Sequence, residues 1–207
     1  MSTQERKLKE RENRKQQILN AAEAIMEENG LHGLSIDLIA QYTQLAKGTI
    51  YLYFKSKEEI LSIITIKARE LLLNKFQKIE IQDLSPIEKL KLIIIENYQY
   101  FKNHSLYYDL LSLYEANHNV VETEAMYKSS DEISEIVANI VIQGQKENLI
   151  DPNYNPYELT MNLWAMTVGV LQLLKVRGAL ISEKFDISEQ NLLDNYMYIF
   201  FKGIGVT

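Results

Sequence analysis

The stretch from Ser35 to Lys57, SIDLIAQYTQLAKGTIYLYFKSK, concentrates side chains suited to one chemistry, the recognition of a polyanion. Lys47, Lys55 and Lys57 offer ammonium groups that neutralise phosphates, and Tyr51 and Tyr53 offer hydroxyls that donate to phosphate oxygens. At about 100° per residue, Ile50 and Phe54 share one helical face, while Gly48, Thr49 and Leu52 fall on the opposite arc between the two tyrosines. Glycine at position 48 costs helix propensity but lets the backbone approach another surface closely. An outward-facing leucine gains nothing in water, and an apolar side chain entering a major groove has the thymine methyl group as its target. Taken singly, each tyrosine also suits half-buried packing and each lysine a solvated rim; it is the constellation that points to DNA.

Other chemistries are poorly supplied. The chain has no cysteine, which excludes disulfides, thiolate metal sites and cysteine nucleophiles. No glycine-rich phosphate loop and no Ser/His/Asp spacing stands out, so an enzyme is not expected. Glu115, His118 and Glu122 lie near one helical face, but only three histidines exist, and a surface helix end accounts for the cluster better than a metal. Neither a metal nor a cofactor is expected.

The elements that must position these side chains are helices. Nearly every segment has a helical period and none alternates over strand length, so the expected fold is all-α with about nine helices. The first helix is expected from Glu5 or Asn13 to Asn29, with Ile18, Ala22, Ile25 and Met26 on one face. Ser35 is expected to cap a short helix through Thr43, a third helix to run from Lys47 to Phe54, and Ser56 to cap a long fourth whose first turn holds Glu58 and Glu59. Later helices are expected to start near Ser85-Pro86, Ser105, Val120, Asn155-Pro156 and Ser188, with longer loops at Asp151 to Pro156 and Gly178 to Ser188. The natural division is a DNA-binding segment, residues 1–57, and a ligand-binding and dimerisation segment, residues 58–207.

The run IAQYTQLAKGTIYLYFKSKEEIL closely resembles the signature of the TetR family of bacterial regulators: the small Ala40, the Lys-Gly-Thr start of the recognition helix, its Tyr-x-Tyr-Phe end and the Lys-x-Lys-Glu opening of the fourth helix. By motif the resemblance covers residues 12–65. It implies that Lys47, Thr49, Tyr51, Tyr53 and Lys57 contact operator DNA, with Thr49 nearest the bases and Ser35 adding a phosphate contact. The full set of candidate DNA-binding residues is Ser35, Gln44, Lys47, Gly48, Thr49, Tyr51, Leu52, Tyr53, Lys55 and Lys57. Three positions depart from the family pattern: Gln44 stands at the usual turn glycine, Ala46 at the usual cap serine and Leu52 at a commonly polar position. A lost side-chain cap costs about 1 kcal/mol.

In the remaining 150 residues, Leu90, Ile93, Ile94, Tyr98 and Phe101 recur at helical spacing, followed by Tyr107, Tyr108, Leu111 and Tyr114. Core packing explains the spacing. The resemblance also implies a ligand pocket in this region, for which Tyr98, Phe101, Tyr107, Leu111, Tyr114, Trp164 and Val168 are the candidates, facing a small, largely apolar effector. The helix from Pro156 to Val176 is apolar on nearly all sides and needs two partners. A second subunit is the natural one, with Leu163, Met166, Val170, Leu174, Leu192, Tyr196, Ile199 and Phe200 as candidate interface residues of a homodimer.

The net charge of −6 is unevenly divided: residues 1–57 carry +2 and residues 58–207 carry −8. A polyanion is therefore attracted to the first segment and repelled by the second. Residues 1–17 are charged where an apolar targeting core would stand, so a cytoplasmic location is expected. The apolar run Leu159 to Leu174 looks too short to cross a membrane, and none is expected as a partner. The reading that emerges is a transcriptional regulator, a repressor released from a palindromic operator by its ligand; a helical adaptor that lost DNA binding is the alternative the Gln44 and Ala46 departures allow.

Overall fold

A computed structural model describes residues 2–116 and 122–205. Among them lie nine α-helices and no strands: α1 Thr3–Asn29, α2 Ile36–Thr43, α3 Lys47–Tyr51, α4 Lys57–Glu80, α5 Pro86–Asn103, α6 Ser105–Ala116, α7 Glu124–Lys146, α8 Pro156–Phe185 and α9 Glu189–Ile204. The chain divides into two compact units. One comprises the chain up to Ala68 with His104–Met126, the other Arg69–Asn103 with the chain from Tyr127.

The first unit is built on the stripe expected for α1. Ile18, Ala21, Ala22, Ile25 and Met26 pack with Leu34, Ile39, Ala40, Ile50, Phe54, Ile60, Ile64 and Leu110 into one buried cluster. Each fully buried isoleucine or leucine there is worth about 1.5–3 kcal/mol of transfer free energy, enough to hold helices of only eight and five residues. Local chemistry sets the boundaries. Ser35 accepts the Leu38 amide at 3.2 Å and starts α2; Ser56 accepts the Glu59 amide at 3.3 Å and starts α4. The third helix is shorter than its apolar pattern suggested and ends at Tyr51. Leu52 and Tyr53 donate their amides to Thr49 and Ile50, three residues back, which tightens the last turn and returns Phe54 to the core.

The second unit centres on α8 and α9. Leu159, Leu163, Leu171 and Leu174 of α8 and Leu193, Tyr196, Phe200 and Ile204 of α9 are buried, and Tyr196 shares a 2.7 Å hydrogen bond with Thr167 while its hydroxyl lies 3.1 Å from the Leu163 carbonyl. The Asp151–Pro156 loop is tied down as well: Asp151 donates its amide to the Ile204 carbonyl, and Gln145 donates to the Asp151 and Tyr154 carbonyls.

Three expectations are corrected here. Leu163, Leu174, Tyr196 and Phe200, taken as interface residues, are buried within the protomer, because α8 and α9 spend those faces on each other. The expected loop from Gly178 is helical to Phe185, and the turn shrinks to three residues around Asp186, whose left-handed backbone (φ 54°) stops the helix. At 30 residues α8 is then long and apolar enough to span a membrane, so the length argument fails; what ties it to the protein is the face packed on α9. Among the described residues no group of three or more His, Asp or Glu is placed to hold a metal, and the Glu115, His118, Glu122 cluster lies outside them at His118.

Candidate nucleic-acid interface

Two short helices joined by a tight turn carry the candidate interface. Gln44 ends α2 in the left-handed conformation (φ 56°, ψ 33°) and donates its amide to the Ala40 and Gln41 carbonyls. The turn normally suited to glycine therefore forms with a side chain in place, at a cost of about 1–2 kcal/mol. Ala46 precedes α3 with no side-chain cap, but its carbonyl accepts the Thr49 amide at 2.8 Å, which starts the helix.

The outward face of α3 is open. A methyl group built on Gly48 meets nothing within 4 Å, Leu52 is 76% exposed and Tyr51 54% exposed. Thr49 is half-buried beside them, and Tyr53 is half-buried against the core cluster. Lys47 and Lys55 are exposed at the two ends and Lys57 is half-buried in the first turn of α4. Ser35 and Gln44 stand at the start and end of α2. Two acidic residues outside the candidate DNA-binding set shape this surface. Asp37 pairs with Lys47, and the Glu59 carboxylate accepts the Lys55 amide, fixing the turn before α4. Asp37 was legible in principle, since it stands in the first turn of α2. Glu58 is held below the usual carboxylate range by a hydrogen bond from its own amide and then by Ser56, so the start of α4 keeps a negative charge.

The candidate pocket residues do not assemble in one unit. Tyr107, Leu111 and Tyr114 belong to the first; Tyr98, Phe101, Trp164 and Val168 belong to the second. Leu111 and Tyr114 are buried, and Tyr107 donates its hydroxyl to Glu23 at 3.1 Å while Lys67 lies 2.7 Å from the same carboxylate. On α5 the core runs through Leu90, Ile93, Ile94, Asn97 and Tyr100. Tyr98 is half-buried and donates to Glu189 at 2.6 Å, a bond that pushes its hydroxyl up to about 12.

Fold and surface together define a helix-turn-helix DNA-binding protein made of helices. Residues 18–63 match the family model described as bacterial regulatory proteins, tetR family. The transcriptional regulator UidR of Escherichia coli K12 is 29% identical over 156 residues, which cover 74% of this chain and 78% of that protein. The fatty acid metabolism regulator protein of Bacillus subtilis is 32% identical over 91 residues, 44% of this chain and 47% of that one. In fold the chain is similar to the crystal structure of FadR from Bacillus subtilis in complex with stearoyl-CoA, with a TM-score of 0.73 at 20% identity, covering 91% of this chain and 98% of that one.

Proposed function

We propose that this protein is a homodimeric cytoplasmic repressor that grips a palindromic operator through α3 and releases it when a small, largely apolar ligand binds within residues 58–207. The observation that carries the reading is the outward face of α3: a bare glycine, an exposed leucine and an exposed tyrosine with lysines at both ends. In water such a face is wasted, whereas against DNA the glycine permits approach, the leucine meets a base methyl and the lysines meet phosphates. The residue roles are those given above, with Lys47 exchanging Asp37 for a phosphate on binding.

Dimerisation rests on what α8 and α9 leave uncovered. Met166, Leu173, Val176 and Leu180 of α8 and Tyr198 and Ile199 of α9 are between 40% and 66% exposed. Met166, Leu173 and Leu180 recur every seven residues, the spacing of a helix-packing seam. Met166 and Ile199 keep their proposed interface role, with half-buried Val170 and Leu192 at the margin. A two-fold pair of such chains carries two α3 helices, which is why the operator is proposed to be palindromic.

A fatty acyl thioester is the effector class favoured by the likeness to FadR with stearoyl-CoA and to a regulator of fatty acid metabolism. Its binding weakens DNA affinity only if it prefers one arrangement of the dimer, since equal affinity for both shifts nothing. The test is fluorescence anisotropy on a labelled duplex from upstream of the protein's own gene, at fixed salt, with and without saturating stearoyl-CoA. Affinity is expected to fall at least tenfold with the thioester. Demonstrated ligand binding with unchanged DNA affinity contradicts the release mechanism.

A further inference from the structure

The first four turns of α1 contribute no buried residue. The helix is 27 residues long, yet its first buried residue is Ile18. Propagation from a packed helix needs no new nucleus, and the arm is reinforced locally. Ser2 and Glu5 form a reciprocal capping box, and Arg6 pairs with Glu10 at 3.2 Å. Residues 3–17 carry six basic side chains against three acidic ones. Lys7, Arg11 and Arg14 follow at i, i+4 and i+7, so they share a face, while Lys9 and Glu12 lie on the opposite side. That face does not point into empty solvent. Together with Glu10, Asn13 and Gln17 it lines one groove with Leu52 and Tyr53, at the end of α3. Glu10 is the acidic residue in the groove, and Arg6 already engages its carboxylate.

We infer that this arm is a second DNA-binding element, in which Lys7, Arg11 and Arg14 neutralise backbone phosphates of the duplex flanking the bases that α3 reads. The inference rests on the proposed DNA-binding role of α3, because only a duplex seated on Leu52 and Tyr53 brings phosphates into the shared groove. A basic stripe has no apolar surface to offer another helix, and a polyanion is its complement. The arm thus adds affinity for any sequence and extends the protected length of DNA without altering base preference.

The test compares full-length wild type, the Lys7→Ala/Arg11→Ala double variant and Lys9→Ala, titrated against one duplex between about 0.05 and 0.3 M salt. None of these side chains is buried, so circular dichroism is expected to show intact folds. The double variant is expected to lose about two units of salt slope per half-site and about thirtyfold in affinity per half-site near 0.15 M. Its preferred sequence is expected to stay the same, and Lys9→Ala to behave as wild type. Wild-type binding with the double variant unchanged overturns the arm's role while leaving α3 in place. Equal losses in the double variant and in Lys9→Ala overturn the face-specific contact in favour of diffuse charge. A wild type that binds no duplex at any salt removes the α3 reading itself, and the arm's role with it.

Discussion

Ile50 and Leu52 stand two residues apart at the end of α3, one fully buried and the other 76% exposed. Ile50→Ala is expected to cost about 2–5 kcal/mol of stability, and Leu52→Ala less than about 0.5 kcal/mol. In DNA binding the order reverses. Leu52→Ala is expected to relax the preference at one thymine per half-site and leave the salt slope alone, whereas Lys57→Ala weakens all sequences alike and lowers the slope by about one ion. A binding-site selection in which the Leu52→Ala protein keeps every base preference contradicts direct readout. Gly48 separates folding from function in the same way. With open space around a methyl group there, Gly48→Ala is expected to raise stability by up to about 1 kcal/mol through helix propensity while weakening operator binding; a melting curve and a DNA titration on one sample check both. The left-handed Gln44 and uncapped Ala46 predict that Gln44→Gly and Ala46→Ser each stabilise the protein, the second by about 1 kcal/mol. Urea denaturation measures this directly. These side chains were legible in the sequence because helical phase assigns inward and outward faces; the half-burial of Thr49 and Tyr53 and the Asp37–Lys47 pair depend on neighbours that phase does not encode.

At the scale of elements, starts were legible and stops less so. Ser35, Ser56, Asn155 and Ser188 announce helix starts by side-chain acceptors. The continuation of α8 past Gly178 was hidden, because a glycine and a charged Ser-Glu-Lys run imitate a loop although their backbone is helical. On α5 two apolar phases competed, and the one through Asn97 and Tyr100 is buried because Asn97 satisfies its amide on the Ile93 carbonyl at 2.9 Å. That leaves Tyr98 to anchor the start of α9. Hydrogen bonds from Tyr98 and then Lys102 hold the Glu189 carboxyl below the usual carboxylate range. A lowered folded value makes this anchor fully present above the unfolded value of about 4.3 and lost as pH falls through the folded one. The stability gap between wild type and Glu189→Gln in urea is expected to be full at pH 7 and to close below about pH 4. A gap constant with pH contradicts the anchor.

For the whole molecule, the segregation of charge and the exposed seam of α8 and α9 are the features that matter. A chain of 24.1 kDa is expected to sediment at about 48 kDa at micromolar concentration, and Ile199→Glu, which places a charge on the 64% exposed centre of the α9 face, is expected to shift it toward monomer without unfolding it. The likeness to the tetR family model was legible from a few tens of residues because the helix-turn-helix is a local motif with a fixed chemistry. The division of the pocket candidates between the two units was not, since helical periodicity does not specify which helices pack together. Paired α3 helices are proposed to read a symmetric DNA site, and selection from a random duplex pool by the full-length protein is the decisive measurement. The expected result is enrichment of an inverted repeat with half-sites spaced by about one helical turn or a multiple of it. An enriched pool with no two-fold symmetry, or no enrichment at any salt concentration, contradicts it.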